Sequence, residues 1–276
     1  MKAMLFDIQR SSYVDGPGIR TTVFFKGCNL DCKWCHNPES KSADRQMLFY
    51  SDKCTGCGKC VSVCPNKGKK CELCGKCALF CPRDARKLCG REYGIEEVMR
   101  ELLRDKCFYE NSGGGVTFSG GECMLQIDFL SEILRECKTE GIHTAVDTAG
   151  NVPFSYFERI LPFTDLFLYD IKAFSAEKHK EGTGADNARI LENAKRLSGK
   201  SKILFRIPVI GGFNDEETEM QKIADFLKDI YYEKVELLPY HALGEHKYRA
   251  LGVNVEVFSV PSPERMKRFR AMFERA

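Results

Sequence analysis

Long hydrophobic runs are missing from this chain. No apolar stretch approaches the roughly 20 residues that a membrane-crossing helix needs. Charge of one sign is missing too. The 276 residues carry 42 Lys and Arg against 39 Asp and Glu, a net +3. There is no block of like charges and no basic stripe interleaved with aromatics, which argues against nucleic acid or an anionic membrane as partner. Met1 to Arg10 contains Asp7 and Arg10 and lacks the apolar core of a secretory signal, so a cytoplasmic location is expected. Hydrophobic residues at 43% and charged residues at 29% are ordinary for a globular protein. The length suffices for one sizeable α/β domain with a small insert.

Cysteine is what the chain has in excess. There are 15, and 11 of them lie between Cys28 and Cys81. In a reducing compartment such clustering reads as metal ligation or reactive thiols rather than as disulfides.

From about Gly94 onward, helix and strand patterns alternate. Helical periodicity covers 94–106, 125–138, 187–197, 215–229 and 262–273, with Asn214 or Asp215 as the expected cap of the fourth. Short apolar runs mark strands at 21–25, 116–118, 143–146, 166–169, 203–209 and 235–238. Strands alternating with helices of 10–15 residues imply βαβ units and a parallel sheet. About six repeats are too few for a closed eight-stranded barrel. The expectation is therefore an α/β fold, a partial (β/α)6 TIM-like barrel, over 1–46 and 93–276. Gly120-Gly121-Glu122, Asp147-Thr148, Asp170, Gly211-Gly212 and His241 all fall at C-terminal strand ends, the edge on which parallel α/β folds place their sites. Turn and cap chemistry is the alternative for any one of them.

Cys28, Cys32 and Cys35 form C-x3-C-x2-C on the loop after the first core strand. Three thiolates at this spacing can ligate three irons of a [4Fe–4S] cube and leave the fourth iron open to substrate. The alternative is zinc, with His36 as fourth ligand. The motif, with Trp34 as its aromatic, resembles that of the radical S-adenosylmethionine (SAM) superfamily. The resemblance implies that the open iron binds SAM and that one electron cleaves it to a 5′-deoxyadenosyl radical. Gly120-Gly121-Glu122 is similar to the motif that meets the SAM amino group in that family, although Cys123 stands where many relatives have Pro.

Cys54, Cys57, Cys60 and Cys64-Pro65 give C-x2-C-x2-C-x3-C-P. Cys71, Cys74, Cys77 and Cys81-Pro82 repeat it. This is the bacterial two-cluster ferredoxin run, in which the fourth cysteine of each motif ligates the other cluster. Only six residues separate Cys64 from Cys71, so the exchange of fourth ligands is less firmly indicated than the ligand set. Residues 47–92 thus read as a ferredoxin-like insert with two [4Fe–4S] clusters, passing electrons at a potential of about −400 mV or serving structure alone. Cys89, Cys107, Cys123 and Cys137 share no spacing, and Cys137 reads as a buried apolar residue.

The runs Asp15-Gly16-Pro17-Gly18-Ile19-Arg20, Phe24 to Cys28, His36-Asn37-Pro38-Glu39, Gly113 to Glu122, Tyr169 to Lys172 and Leu238 to His241 resemble the activating enzymes of glycyl radical enzymes, in the subgroup with a ferredoxin-like insert. The resemblance implies three [4Fe–4S] clusters, SAM, and a monovalent cation held by Asp147, Thr148 and Asp170. It implies roles for Arg206 at the SAM carboxylate or ribose, for His241 at the adenine and for Lys172 in cofactor binding. Asp15, Gly16, Pro17 and Gly18 would form the mouth that receives the partner's glycine loop. The implied partners are a glycyl radical enzyme and a flavodoxin or ferredoxin reductant. A radical SAM enzyme acting on a small molecule or peptide, and a ferredoxin-type electron carrier, are the alternatives.

Overall fold

The computed structural model describes residues 1–274. Its strands are β1 (Lys2–Ser12), β2 (Arg20–Phe25), β3 (Gln46–Phe49), β4 (Arg86–Cys89), β5 (Arg91–Gly94), β6 (Gly115–Gly120), β7 (Thr144–Thr148), β8 (Leu166–Asp170), β9 (Ile203–Val209) and β10 (Lys234–Pro239). Its α-helices are α1 (Lys59–Ser62), α2 (Lys76–Leu79), α3 (Ile95–Leu103), α4 (Lys106–Ser112), α5 (Ile127–Thr139), α6 (Phe154–Ile160), α7 (Ala176–Thr183), α8 (Ala188–Leu197), α9 (Glu217–Leu227), α10 (Glu245–Leu251) and α11 (Pro263–Phe273).

The main sheet runs β10-β9-β8-β7-β6-β2-β1-β5. Its six strands from β10 to β2 are parallel. They are the six expected from the sequence, and the sheet stays open. β1 and β5 extend it in antiparallel fashion beyond β2. Neither was read from the sequence, although Ala3 and Leu5 alternate with more exposed neighbours as a half-buried strand does.

Period two decides what each barrel strand shows to each side. In β9, Ile203, Phe205, Ile207 and Val209 join the core with Met220, Ile223 and Leu227 of α9. Leu204 points the other way and packs with Ala145, Leu166 and Leu168. That apolar cluster plugs the N-terminal half of the lumen, and the same inward rows end in Asp147, Asp170 and Arg206. Arg20, fully buried, fills the adjoining part and donates to Thr117 Oγ1 at 2.6 Å and the Pro17 carbonyl at 3.1 Å.

The five helices expected from periodicity are present as α3, α5, α8, α9 and α11, while α4, α6, α7 and α10 were not read from the sequence; one expected cap is also corrected. Neither Asn214 nor Asp215 caps α9. Asn214 accepts from the Ile210 N–H at 2.7 Å and donates to the Lys172 and Pro208 carbonyls, and Asp215 accepts from the Gly212 N–H. Their hydrogen bonds are spent on closing the β9–α9 loop, and the helix begins at Glu217 after an uncapped Glu216. Ser262, in contrast, caps α11 by accepting from the Arg265 N–H.

The cysteine-rich stretch leaves the barrel through β3 and returns through β4, which pair with each other. Arg91 and Glu92 already belong to the main sheet through β1. Inside the stretch, α1 follows Gly58 (φ +71°) and α2 follows Gly75 (φ +78°), each in left-handed geometry that glycine adopts without strain. The sequence repeat is therefore also a structural repeat.

Arg10 donates to Asp105, which also accepts from Thr21 Oγ1 at 2.8 Å, and this holds the Asp105 carboxyl below its ordinary pKa. A carboxylate with a lowered folded-state pKa stabilises above its unfolded pKa and loses that contribution as pH falls. The Asp105→Asn variant is expected to be about 1–3 kcal/mol less stable at pH 7. The gap should narrow towards pH 3 in anaerobic urea titrations; a gap independent of pH would refute the assignment.

Candidate active site

β2 ends at Phe25, and the chain enters the cysteine loop through Lys26 and Gly27. Backbone hydrogen bonds fix this loop at both ends. The Gly27 and Cys28 N–H groups donate to the Ser40 and Lys41 carbonyls, and those of Asp31 and Lys33 donate to the Thr183 and Gly182 carbonyls at the end of α7. Gly182 has no side chain because none fits: a Cβ there would lie 2.5 Å from the Phe213 ring and 2.7 Å from the Trp34 ring. Trp34 packs on Phe213 with ring centroids 4.5 Å apart and the planes tilted by 41°, and it meets Phe258 edge-on.

On the other side, Gly120 and Gly121 press their backbone against β2 and the loop. A Cβ at Gly121 would lie 2.1 Å from the Gly27 carbonyl oxygen, and Gly120 has φ +120°. Both positions demand glycine, for close approach and for backbone conformation.

Above the apolar plug lies a cavity of about 670 Å³. Cys28, Cys32, Trp34 and Cys35 form one wall, and Gly120, Gly121 and Thr148 lie on its floor. Asp147, Asp170, Lys172 and Arg206 reach in from the barrel strand ends, His241 comes from beyond β10, and Asp15 stands at the rim. The sequence had assigned all thirteen of these residues to the site.

The charged groups are paired. Lys172 Nζ lies 2.7 Å from Asp170 Oδ2, Arg206 Nη1 lies 3.3 Å from Asp147 Oδ2, and Ser119 Oγ donates to the same Asp147 oxygen at 2.6 Å. Burial opposes the Lys172 charge, but Asp170 and the nearby cysteines outweigh it and raise the pKa above its ordinary value. Arg206 Nε is buried with no partner, an unsatisfied donor among the cavity's polar groups.

Glu122 is placed elsewhere. Its carboxylate is buried beneath the floor, where it accepts from Thr148 Oγ1 at 2.8 and 2.9 Å, from the Met124 N–H at 3.2 Å and from the Ala149 N–H at 3.1 Å. The turn after Gly121 sends the side chain down rather than into the cavity, and burial pushes its pKa up to about 7. Gly16, Pro17 and Gly18 also stay off the wall. Gly18 packs on Gly114, with space for no side chain between them.

His36 stacks on His241 with centroids 3.9 Å apart, and its Nε2 faces the His241 carbonyl at 3.1 Å. Gly182, Thr183 and Phe213 carry the loop and were missed, because nothing local in an α7 turn advertises what it packs against. Tyr240, beside His36 and Phe258, lay within a quoted motif but was given no role.

The donor set fits iron–sulfur ligation. Burial pushes the Cys28 thiol up to about 11 and the Cys32 thiol up to about 12, so metal must displace protons to form thiolates. The Leu30 N–H points at Cys28 Sγ (3.5 Å), the Gly68 N–H at Cys64 Sγ (3.4 Å), the Leu73 N–H at Cys71 Sγ (3.4 Å) and the Ala85 N–H at Cys81 Sγ (3.3 Å). Backbone donors to sulfur are among the groups that set a cluster's potential. In the insert, Cys64, Cys71, Cys74 and Cys77 line one small cavity.

The sequence profile of the radical SAM superfamily matches residues 22–226, which include this loop and five of the six parallel strands. The chain belongs to the radical SAM superfamily. Within it, the similar proteins are activating enzymes of glycyl radical enzymes. The chain is 44% identical to the trans-4-hydroxy-L-proline dehydratase activating enzyme of Clostridioides difficile, over 99% of this chain and 97% of that one. It is 39% identical to the choline trimethylamine-lyase activating enzyme of Oleidesulfovibrio alaskensis, over 91% of this chain and 87% of that one. Among solved structures, a domain of a pyruvate-formate lyase-activating enzyme from Bacteroides vulgatus is 31% identical, with a TM-score of 0.51 over 58% of this chain and 92% of that one. A radical SAM methyltransferase from Sphaerobacter thermophilus shares the fold at 15% identity, with a TM-score of 0.59 over 98% of this chain and 70% of that one.

The dependence of the loop on Gly182 is testable. In Gly182→Val the branched side chain should displace Trp34, and the protein should lose cluster signal from Cys28, Cys32 and Cys35 after reconstitution. Iron bound in the insert should persist. Equal iron content and equal electron paramagnetic resonance spectra for variant and parent would show that the loop does not lean on α7.

Proposed function

We propose that this protein activates a glycyl radical enzyme by abstracting a hydrogen atom from a backbone glycine of that partner. One observation carries the reading: a single cavity joins three cysteines with balanced acids and bases, and Asp15 stands at its rim. When bound, a [4Fe–4S] cluster and SAM supply reductive cleavage of the sulfonium and the radical that takes the hydrogen.

The chain's own residues bind, orient and shield. Cys28, Cys32 and Cys35, which line the cavity, would hold three irons of the cluster. Asp147, Thr148 and Asp170 offer oxygens to a monovalent cation beside the SAM carboxylate, and Arg206 and Lys172 offer cations to that carboxylate. His241, held flat against His36, offers a face to the adenine. The Gly120 and Gly121 backbone receives the amino end of SAM. Glu122 acts from below, by fixing Thr148 and the Ala149 N–H. At the rim, Asp15 is held by Ser12 Oγ and Thr22 Oγ1 at 2.6 and 2.8 Å. It anchors the turn of Gly16, Pro17 and Gly18, which would border the entry of the partner's glycine loop.

In the insert, two further [4Fe–4S] clusters are proposed. Cys64 would serve the cluster of Cys71, Cys74 and Cys77, whose cavity it shares, and Cys81 that of Cys54, Cys57 and Cys60. Electrons would enter from a flavodoxin or ferredoxin. No helix among the described residues is long and apolar enough to cross a membrane.

The deciding experiment is anaerobic. The reconstituted, reduced protein is given SAM and a glycine-loop peptide deuterated at the glycine Cα. Deuterium in 5′-deoxyadenosine is the expected result. Undeuterated product with both the peptide and the intact partner would overturn the assignment.

Removing a ligand separates the clusters. Cys28→Ala is expected to abolish 5′-deoxyadenosine formation while keeping about eight of about twelve irons per chain. Loss of all iron would contradict separate cluster sites.

A further inference from the structure

The net charge of +3 conceals an uneven distribution. Residues 46–89 hold nine Lys and Arg against three Asp and Glu, so this stretch alone carries +6 and the rest of the chain −3. Two oxidised thiolate-ligated cubes would contribute about −4 and leave the insert positive. Eight of the nine cations are exposed, Arg86 being half-buried. Elsewhere the chain pairs its surface cations freely, as in Lys41–Asp31, Lys138–Asp165 and Lys228–Asp225. In the insert, none of Lys53, Lys59, Lys67, Lys69, Lys70 and Lys76 has a carboxylate partner among the described residues. A set of cations at this density repels itself, and an acidic partner would relieve it.

The same surface exposes apolar side chains. Val61 at the end of α1 is 51% exposed, and Leu79 and Phe80 at the end of α2 are 79% and 48% exposed. The two helices pack on each other, and Lys59 and Lys76 begin them. Exposed apolar residues among cations are the composition of a transient protein docking surface. Cys60 lies within α1 and Cys77 within α2, so proposed cluster ligands share these two helices with the exposed residues.

We infer that the α1–α2 face of the insert is the port through which a small acidic one-electron carrier protein docks and reduces this enzyme. This deepens the proposed function and rests on its reading of the insert as a two-cluster module. Charge complementarity selects the occupant. The face attracts a protein with a carboxylate-rich surface and repels a basic one, and its few apolar residues suit a brief encounter rather than a stable complex. The chemistry balances simply: the carrier loses one electron, an insert cluster gains it, and no bond forms or breaks.

The test is stopped-flow reduction of the reconstituted protein by reduced flavodoxin as the acidic probe, without SAM, across ionic strength. Lys67→Glu/Lys69→Glu/Lys70→Glu and, separately, Lys59→Glu/Lys76→Glu should each slow the bimolecular step about tenfold or more at low salt. Both should also flatten the salt dependence seen with the parent. Lys202→Glu/Lys228→Glu/Lys267→Glu, which changes the same charge on the barrel, should alter the rate less than about twofold. Photoreduced deazaflavin, a small donor that needs no docking face, should reduce all the proteins alike. Parent-like rates in both face variants, or equal slowing by the barrel variant, would overturn the docking face while leaving the enzyme's function intact. About four irons per chain in the parent, in place of about twelve, would instead overturn the cluster reading of the insert and the docking with it. Iron content unchanged across the variants separates lost docking from a lost fold.

Discussion

Two carboxylates and two cations must share a largely dehydrated space at the mouth of an apolar barrel, and most of the site follows from that. Unpaired, any of them would cost several kcal/mol. Asp147 is neutralised by Arg206 and steadied by Ser119, and Asp170 is neutralised by Lys172. The balance leaves these four groups with no net charge. It suits a ligand that carries both signs, because each group can exchange its internal partner for a ligand group at little electrostatic cost. SAM, with an amino group, a carboxylate and a sulfonium, is such a ligand. The orphaned Nε of Arg206 is a donor still to be satisfied, on the residue proposed to meet that carboxylate.

The second constraint is close approach. The cysteine loop lies between the glycine floor after β6 and the end of α7, and side chains are excluded on both flanks. A cube held by three thiolates occupies a fixed position only if the loop that bears them cannot breathe. Hydrogen bonds from the loop backbone to both flanks meet that requirement. Trp34, wedged between Phe213 and Phe258, adds the apolar contact that ties the loop to the barrel's far side.

Much of this was legible in the sequence because the signals are local. Short apolar runs mark the six parallel strands, and cysteine spacing marks the ligand groups. Glycines followed by an acid mark a strand end. What was not legible depends on direction or on distant partners. Glu122 is recognisable as a motif residue, yet no pattern tells whether a turn sends its carboxylate up or down; two backbone N–H groups and Thr148 decide it. Asn214 and Asp215 look like helix caps because their side chains prefer to bond nearby backbone, and they do so on the preceding loop instead. β1 escaped notice because its alternation fades where it runs past β5, from Asp7 to Ser11, into mostly exposed residues. Gly182 carries no signal at all, since its importance lies in two rings brought there by other elements.

The insert shows the opposite balance of local and global. Its two halves repeat in sequence and in backbone, down to a left-handed glycine before each short helix, and it contributes few residues to the barrel's core. With the clusters proposed for it, such a module would owe its order to ligands more than to burial, as small metal-bound domains do. That would free its surface from packing duties, so that exposed apolar residues can stand beside cations without destabilising the barrel. A segment whose residues carry +6 against −3 for the rest of the chain would then govern how electrons arrive, whereas the neutralised cavity would govern what they do.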